Sequence, residues 1–544
     1  MNTSTEHEEL KTGSESALDQ QQHVSPENTP IEKEILQHEQ DNTHENEKDE
    51  HGTNLSENQI ASDSKEIEII DIDEFLIRTK ECGLSQFAIV LGMMLVTFTL
   101  AYTPFIFYFI GFDPHWIDTE NGTAHYREDN SRCFLNESQW RYDHEKTTVV
   151  TEYGLICDKS WMLSMLGSIV FVGWALGSFV FGFFSDKYGR KLVMIPCLFF
   201  DLFCLFLHGF ISSIWVLMAV RFIMGFFHAA PAINSYILIV ELIGPNYRVL
   251  AANVAGVVWG IATAVLALKA FLIDDWRNLC IAASAPYFVL VVLGMFLPES
   301  VRWLNANGRS EDAEKILHKV AKYNKRTIEN VCLKQEVEDQ SGYSYLDLFN
   351  TRKVLKITLS QAYIWGCLGM VYYTLSWAFA DLGGDMYLNF ILASIVELPM
   401  HAACVICLQS FGRKRTVVVS LFLTVVFTLV IMILIYLQTK HEEIKLVFGL
   451  LSKSCISLAF MSSYMWSAEI FPTVVRTQGL SFNIVTSRLG AAVSPFTNNL
   501  DLIHPILPFF VICVSTIVAL FMCLFLPETL GKPTREKFED IYDD

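Results

Sequence analysis

A first stretch of eighty-odd residues is almost entirely polar; beyond it, long apolar stretches alternate with short polar loops to about residue 526. About 20 consecutive apolar residues suffice for a helix to cross the hydrocarbon core of a bilayer. Twelve candidate spans lie near 87–112, 161–181, 192–211, 214–240, 249–271, 279–297, 355–378, 386–409, 416–437, 445–467, 477–498 and 506–526. The seventh and eighth are divided by the polar run Asp381-Leu-Gly-Gly-Asp385. The pattern predicts an all-α membrane protein of twelve transmembrane helices.

Polar marks recur at the ends of these spans. Gly189-Arg190-Lys191 has an echo at Gly412-Arg413-Lys414, Glu241 and Arg248 at Glu469 and Arg476, and Pro298-Glu299-Ser300 at Pro527-Glu528-Thr529. The order is the same each time, so the chain reads as two related six-helix halves. Two such halves can rock about a site held between them, which is what an alternating-access carrier needs. The expected organisation is an acidic tail over 1–85, an N-terminal half over 86–297, a linker over 298–354, a C-terminal half over 355–526 and a short tail over 527–544. Within the linker, SEDAEKILHKVAKYNK has the spacing of an amphipathic helix.

Lys and Arg in short loops set orientation. Lys187, Arg190 and Lys191 follow span two; Arg413, Lys414 and Arg415 follow span eight; the linker carries ten more between Arg302 and Lys353. With twelve spans all these segments fall on one side, expected to be cytoplasmic together with both termini. The loop 113–160 then lies outside, with the sequons Asn121-Gly-Thr123 and Asn136-Glu-Ser138 as glycosylation acceptors. Cys133 and Cys157 are the cysteines of this segment, and a disulfide between them is expected.

The formal charge of −19 changes meaning once it is located. Residues 1–80 hold 21 Asp and Glu against 6 Lys and Arg, so −15 of it sits in the tail. With few apolar residues this tail is expected to be disordered, either simply solvated or serving a cytosolic partner as a docking segment. Its acidity argues against nucleic acid and anionic lipid. Residues 66–80 alternate apolar and acidic positions and predict a short interfacial element before span one. No phosphate-binding GxxxxGK[ST] loop, metal cluster or catalytic triad is present in the sequence, so neither an ATP-driven pump nor an enzyme is expected, and no cofactor. Substrate gradients, counter-substrate exchange or a coupled ion must supply the energy.

The segment Tyr142 to Asp158 (YDHEKTTVVTEYGLICD) resembles the extracellular signature of the organic ion transporters, the organic cation, anion and carnitine branch (solute carrier family 22 type) of the major facilitator superfamily. Gly182-Phe-Phe-Ser-Asp-Lys-Tyr-Gly-Arg-Lys191 matches the superfamily's loop after span two; Pro298 to Trp303, Ala468 to Arg476 and Leu526 to Thr529 are similar to the branch. Asp275-Trp-Arg277 and Lys453 fit as well, while the long acidic tail departs from the branch's usual short N-terminus. The resemblance implies the major facilitator fold, a plasma-membrane location and small organic ions as substrates. It also implies that Asp186 faces the start of span eleven.

Charges at the cytoplasmic ends, Asp186, Arg190, Glu241, Arg248, Glu299 and Arg302 in the first half and Arg413, Glu469, Arg476 and Glu528 in the second, are expected to pair across the seam as a gate. Charges inside spans are costly and mark function. They are Asp201, Arg221, His208, His228, Lys269, Glu397, His401, Lys453 and Arg488. His228 reads as a satisfied packing histidine and Lys269 as a snorkelling lysine; Arg221 and Lys453 fit either structural pairs or binding groups. Arg488, deep in span eleven beside Gly490 and Pro495, is the sharpest candidate, because a fixed guanidinium favours a carboxylate, sulfate or phosphate and can grip it bidentately. In the organic cation carriers this position is typically aspartate, in the anion and carnitine carriers arginine. Glu397 and His401, at i and i+4 on one helix face, are expected to tune selectivity, with Glu397 neutralising Arg488 or holding a substrate ammonium. Tyr372, Tyr373, Trp377, Phe226, Phe227 and Tyr236 supply aromatic walls. The expected function is transport of small organic anions or carnitine-like zwitterions; the alternatives are a polyspecific cation carrier and a carrier-like sensor.

Overall fold

The computed structural model describes residues 68–532, apart from 120–122, 126–129, 137, 144–145, 327, 329–330, 335–344, 379–383, 440 and 473–474. The bulk of the acidic tail and the sequon asparagine Asn121 therefore lie outside the described residues.

Span one runs Leu84–Ile110 as two helices that meet at Ala101, just before Pro104. Proline has no N–H to return to the preceding turn, so the break falls where it must. Span two is Ser160–Tyr188, three Arg190–Leu207, four Ile214–Leu242, five Arg248–Leu272 and six Trp276–Gly294. Span seven is Arg352–Ala378, eight Met386–Ser410, nine Arg413–Tyr436, ten Glu442–Ile470, eleven Arg476–Asn498 and twelve Leu507–Leu524. Span two extends seven residues beyond its expected end, so most of the Gly182 to Lys191 motif is helix, turning only at Gly189. Among the described residues eleven helices are long and apolar enough to cross a membrane. Span eleven is not among them: it spends its length on Arg476, Gln478, Asn483, Arg488 and Asn498, and its buried face includes Asn483, Ser487 and Ser494. A helix this polar belongs inside a bundle.

Glycine sets how closely spans two and four approach. A Cβ on Gly225 would collide with the Val170 carbonyl, and Cβ atoms on Gly173 and Gly177 with the carbonyls of Phe222 and Phe226. Backbone cannot yield as a side-chain tip can. Gly225→Ala is therefore expected to cost about 1–3 kcal/mol, the usual penalty of overpacking. Thermal unfolding in detergent should show a lower midpoint; an unchanged midpoint would mean that these helices are not in such contact.

The duplicated marks acquire one physical meaning. Gly189 and Gly412 turn the chain with φ of 110° and 99°. Glu299 accepts from the Lys191 and Leu192 amides at 2.9 and 3.4 Å; Glu528 accepts from those of Arg413, Lys414 and Arg415 at 2.9–3.3 Å. Each carboxylate, from just after the last span of its half, caps the N-terminus of that half's third span, where the helix dipole and free N–H groups favour an anion. Partial burial pushes the Glu528 carboxyl up, but these backbone donors outweigh it and hold the group below its usual range. A second bond repeats: the Ser300 hydroxyl donates to Glu241, and the Thr529 hydroxyl to Glu469 at 2.5 Å.

Ser310–Tyr323 forms the amphipathic helix expected in the linker, burying Ala313, Leu317, Val320 and Ala321. The segment before span one forms strand Glu68–Ile70, paired in parallel with Val331–Leu333, and helix Ile72–Arg78, which buries Ile72, Phe75 and Leu76. In the loop between spans one and two, Trp116–Asp118 pairs antiparallel with both Ala124–His125 and Trp140–Tyr142. Cys133 and Cys157 are disulfide-bonded, with Cα atoms 5.8 Å apart, and Asn136 is exposed.

Candidate functional site

The halves meet along spans two and eleven and along five and eight. Arg488 sits at the first seam. Its guanidinium carbon lies 3.6 Å from the centroid of the Trp174 ring, on span two of the opposite half. Its Nε is buried without a hydrogen-bond partner, and among the described residues it forms no ion pair. Tyr373 and Tyr464 lie beside it. A Cβ on Gly490 would strike the Gly366 carbonyl, so glycine allows span eleven to lie against span seven here.

Glu397 does not pair with Arg488, which was one of the two roles the sequence left open for it. Its Oε1 is 3.3 Å from Lys453 Nζ, and both side chains are almost fully buried. Tyr372 donates to Glu397 Oε2 at 3.3 Å, and Lys453 donates to Ser376 Oγ at 2.6 Å. Phe105, Tyr372 and Phe390 surround the Lys453 ammonium at 4.9–5.8 Å. Of the aromatics expected to wall a substrate's ammonium, Tyr372 thus lies against a lysine of the chain itself, together with Phe105 and Phe390, which the sequence did not single out. His401, one turn further on, fills the space left by the absent side chain of Gly256 on span five, and its Nδ1 is buried without a partner.

The remaining candidates separate. Trp377 packs on Phe107 and Tyr108. Phe226 and Phe227 pack with Phe181 and Phe200. Tyr236 is 46% exposed and lies beside Tyr464 of the other half. Lys269 does not snorkel: it donates to the Tyr287 hydroxyl at 3.1 Å and the Ala282 carbonyl at 3.2 Å, beneath the Tyr102 and Tyr287 rings. His208 bonds the Cys204 carbonyl within its own helix. Arg221 is fully buried, donates to the Leu166 carbonyl at 2.7 Å and lies over Phe107 at 4.4 Å. His228 is more than packing, because its Nδ1 is 2.9 Å from Asp201, which also accepts from Thr103 at 3.1 Å.

Among the described residues, the ion pairs formed by the duplicated charges stay within their own half. Asp186 pairs with Arg190; Arg248 and Arg302 both pair with Asp73 of the N-terminal segment; Arg413 pairs with Glu469 at 2.9 Å. Arg476 lies within electrostatic reach of Glu469, again in its own half. Tyr345, ahead of span seven, reaches Ser481 and stands near Asp186, so the approach of Asp186 to span eleven runs through this tyrosine. Polar contacts between halves gather instead in the middle and towards the end that carries the disulfide-bonded loop. Lys146 donates to the Tyr387 hydroxyl at 3.2 Å, Asn499 donates to Ser164 at 2.5 Å, and Thr263 donates to Ser394 at 2.9 Å. Phe109 stacks on Tyr387 and meets Phe390 edge-on.

The family described as "Sugar (and other) transporter" matches residues 117–541. Organic cation/carnitine transporter 2 of Homo sapiens is 30% identical over 74% of this chain and 73% of its own length. Organic anion transporter 3 of Oryctolagus cuniculus is 29% identical over 74% and 76%, and solute carrier family 22 member 15-like of Xenopus tropicalis 29% identical over 87% and 96%. The major facilitator proton:xylose symporter XylE bound to 6-bromo-6-deoxy-D-glucose superposes with a TM-score of 0.61 at 17% identity, covering 83% of this chain and 98% of that one. The same symporter in an inward-open conformation gives 0.58 at 16% identity, over 84% and 99%. The duplicated halves, the polar eleventh span between them and these matches have one reading: the chain belongs to the sugar-and-other transporter family of the major facilitator superfamily, in its solute carrier family 22 branch, and is a multi-pass membrane transporter of organic ions.

Proposed function

We propose that the protein carries small organic anions across the plasma membrane by alternating access, with both termini cytoplasmic, Arg488 as the anion anchor and the duplicated charges working the cytoplasmic gate. The supporting observation is an imbalance of charge within the C-terminal half. Arg488 has no acidic partner among the described residues, whereas the one carboxylate foreseen beside it, Glu397, is matched by Lys453. The centre therefore carries an excess positive charge in a region of low dielectric, which an anion offsets and a simple cation does not. Tyr372, Tyr373, Trp174 and Tyr236 provide the apolar walls for the body of the solute.

The names of relatives divide between anion and cation or carnitine transport. The aromatic box supports the anion reading, because Lys453 occupies the place a quaternary ammonium would take. A carnitine-like zwitterion is the second reading: it docks its carboxylate at Arg488 and its ammonium near Glu397 only when Lys453 swings out. Uptake of labelled glutarate, carnitine and tetraethylammonium, side by side in cells expressing the protein, tests both. Glutarate is expected to enter fastest and tetraethylammonium at background. Tetraethylammonium uptake with no glutarate uptake would overturn the reading. The exposed sequon at Asn136 and the disulfide-bonded loop fit an extracellular face.

A further inference from the structure

We propose that Asp201 and His228 form a proton-binding site coupled to the anion at Arg488, so that the carrier moves a proton together with its organic anion. This rests on the anion reading above and names the coupled ion. Asp201 and His228, on spans three and four, are 2% and 0% exposed. The carboxylate accepts from Thr103 Oγ1 of span one at 3.1 Å and contacts His228 Nδ1 at 2.9 Å. An ionised Asp201 requires the proton on Nδ1, which leaves Nε2 as the nitrogen able to take another. That atom is buried and has no hydrogen-bond partner.

The dyad stands one ring away from the anchor. The imidazole meets the Trp174 ring at 4.4 Å between centroids and 86° between planes. The same indole carries the Arg488 guanidinium. Other groups around the dyad are few: Cys197 and Cys204 of span three are electrostatic neighbours of Asp201, and Arg221, two turns before His228, is engaged by Phe107 and the Leu166 carbonyl. Span two contributes Trp174 and span eleven Arg488.

The sign of the coupling follows from charge. With Nε2 bare the dyad bears −1, attracts Arg488 and repels an incoming anion. With Nε2 protonated it is a neutral ion pair, and Arg488 is left to the solute. Proton and anion therefore favour each other's binding by the same factor. The proton enters from the outer medium when the halves part there and leaves with the solute on the other side.

Full-length protein in vesicles, with the membrane potential clamped at zero, provides the test. A gradient of one pH unit, acid outside, should concentrate labelled glutarate inside up to about tenfold over vesicles of equal pH, the value for one proton per anion. In His228→Gln and Asp201→Asn that ratio should fall to one, and the pH dependence of the glutarate KM should flatten. If the wild type exchanges glutarate, loses it in Arg488→Asp, and yet shows no accumulation on the gradient, proton coupling is overturned while the anion assignment stands. If no glutarate moves in any arm, the anion assignment falls and the coupling with it. A folding loss in either variant is bypassed by tryptophan emission of the wild type and Trp174→Phe between pH 5 and 8: a charged imidazole beside Trp174 should quench the first and not the second, and identical titrations would overturn the site.

Discussion

Replacing Arg488 by Asp is expected to reduce carboxylate uptake by about 30-fold or more. Removing one member of a buried, hydrogen-bonded charge pair typically costs at least about 2 kcal/mol, and the new carboxylate adds repulsion. Arg488→Lys should fall between the two. It restores the charge, but loses the planar fork that holds a carboxylate bidentately and the flat face that lies on Trp174. Initial rates of glutarate uptake, normalised to surface protein, measure both variants. Wild-type rates in Arg488→Asp would remove the guanidinium from the binding site.

Lys453→Met is expected to be the most destabilising single change in the C-terminal half. It strands the Glu397 carboxylate, 4% exposed, with only Tyr372 for support. Breaking a buried pair in this way typically costs about 3–5 kcal/mol, whereas replacing both members with apolar residues is often close to neutral. Glu397→Met with Lys453→Met should therefore melt well above Lys453→Met alone. A second consequence concerns selectivity. Removing Lys453 empties the box of Phe105, Tyr372 and Phe390 beside an acid, which is the environment a quaternary ammonium seeks. Lys453→Met protein that folds should gain tetraethylammonium uptake. A double variant no more stable than the single one would show that the pair does not form.

The helical plan was legible because a bilayer imposes a length and a hydropathy that any span must meet; even span eleven, which fails on hydropathy, was betrayed by Arg488 and its neighbours. The linker helix was legible from the spacing of Ala313, Leu317 and Val320. Partners were not. Glu397 lies 91 positions from Arg488 and 56 from Lys453 along the chain, and nothing in either spacing says which cation it meets. Lys269 looked like a snorkelling residue because its two tyrosines come from spans one and six. The Asp201 and His228 pair was hidden for the same reason, although two titratable residues on consecutive apolar spans were a signal that they should be tested together. Asp73, between Arg248 and Arg302, lay in a segment read only as an approach to span one.

Among the described residues each half answers its own charges at the mouth of the bundle on the linker's side. Bringing charges of the two halves together there requires these pairs to part first, so closing that mouth is an exchange of partners rather than a stripping of hydrated ions, and the direction of net flux is left to the gradients of solute and proton.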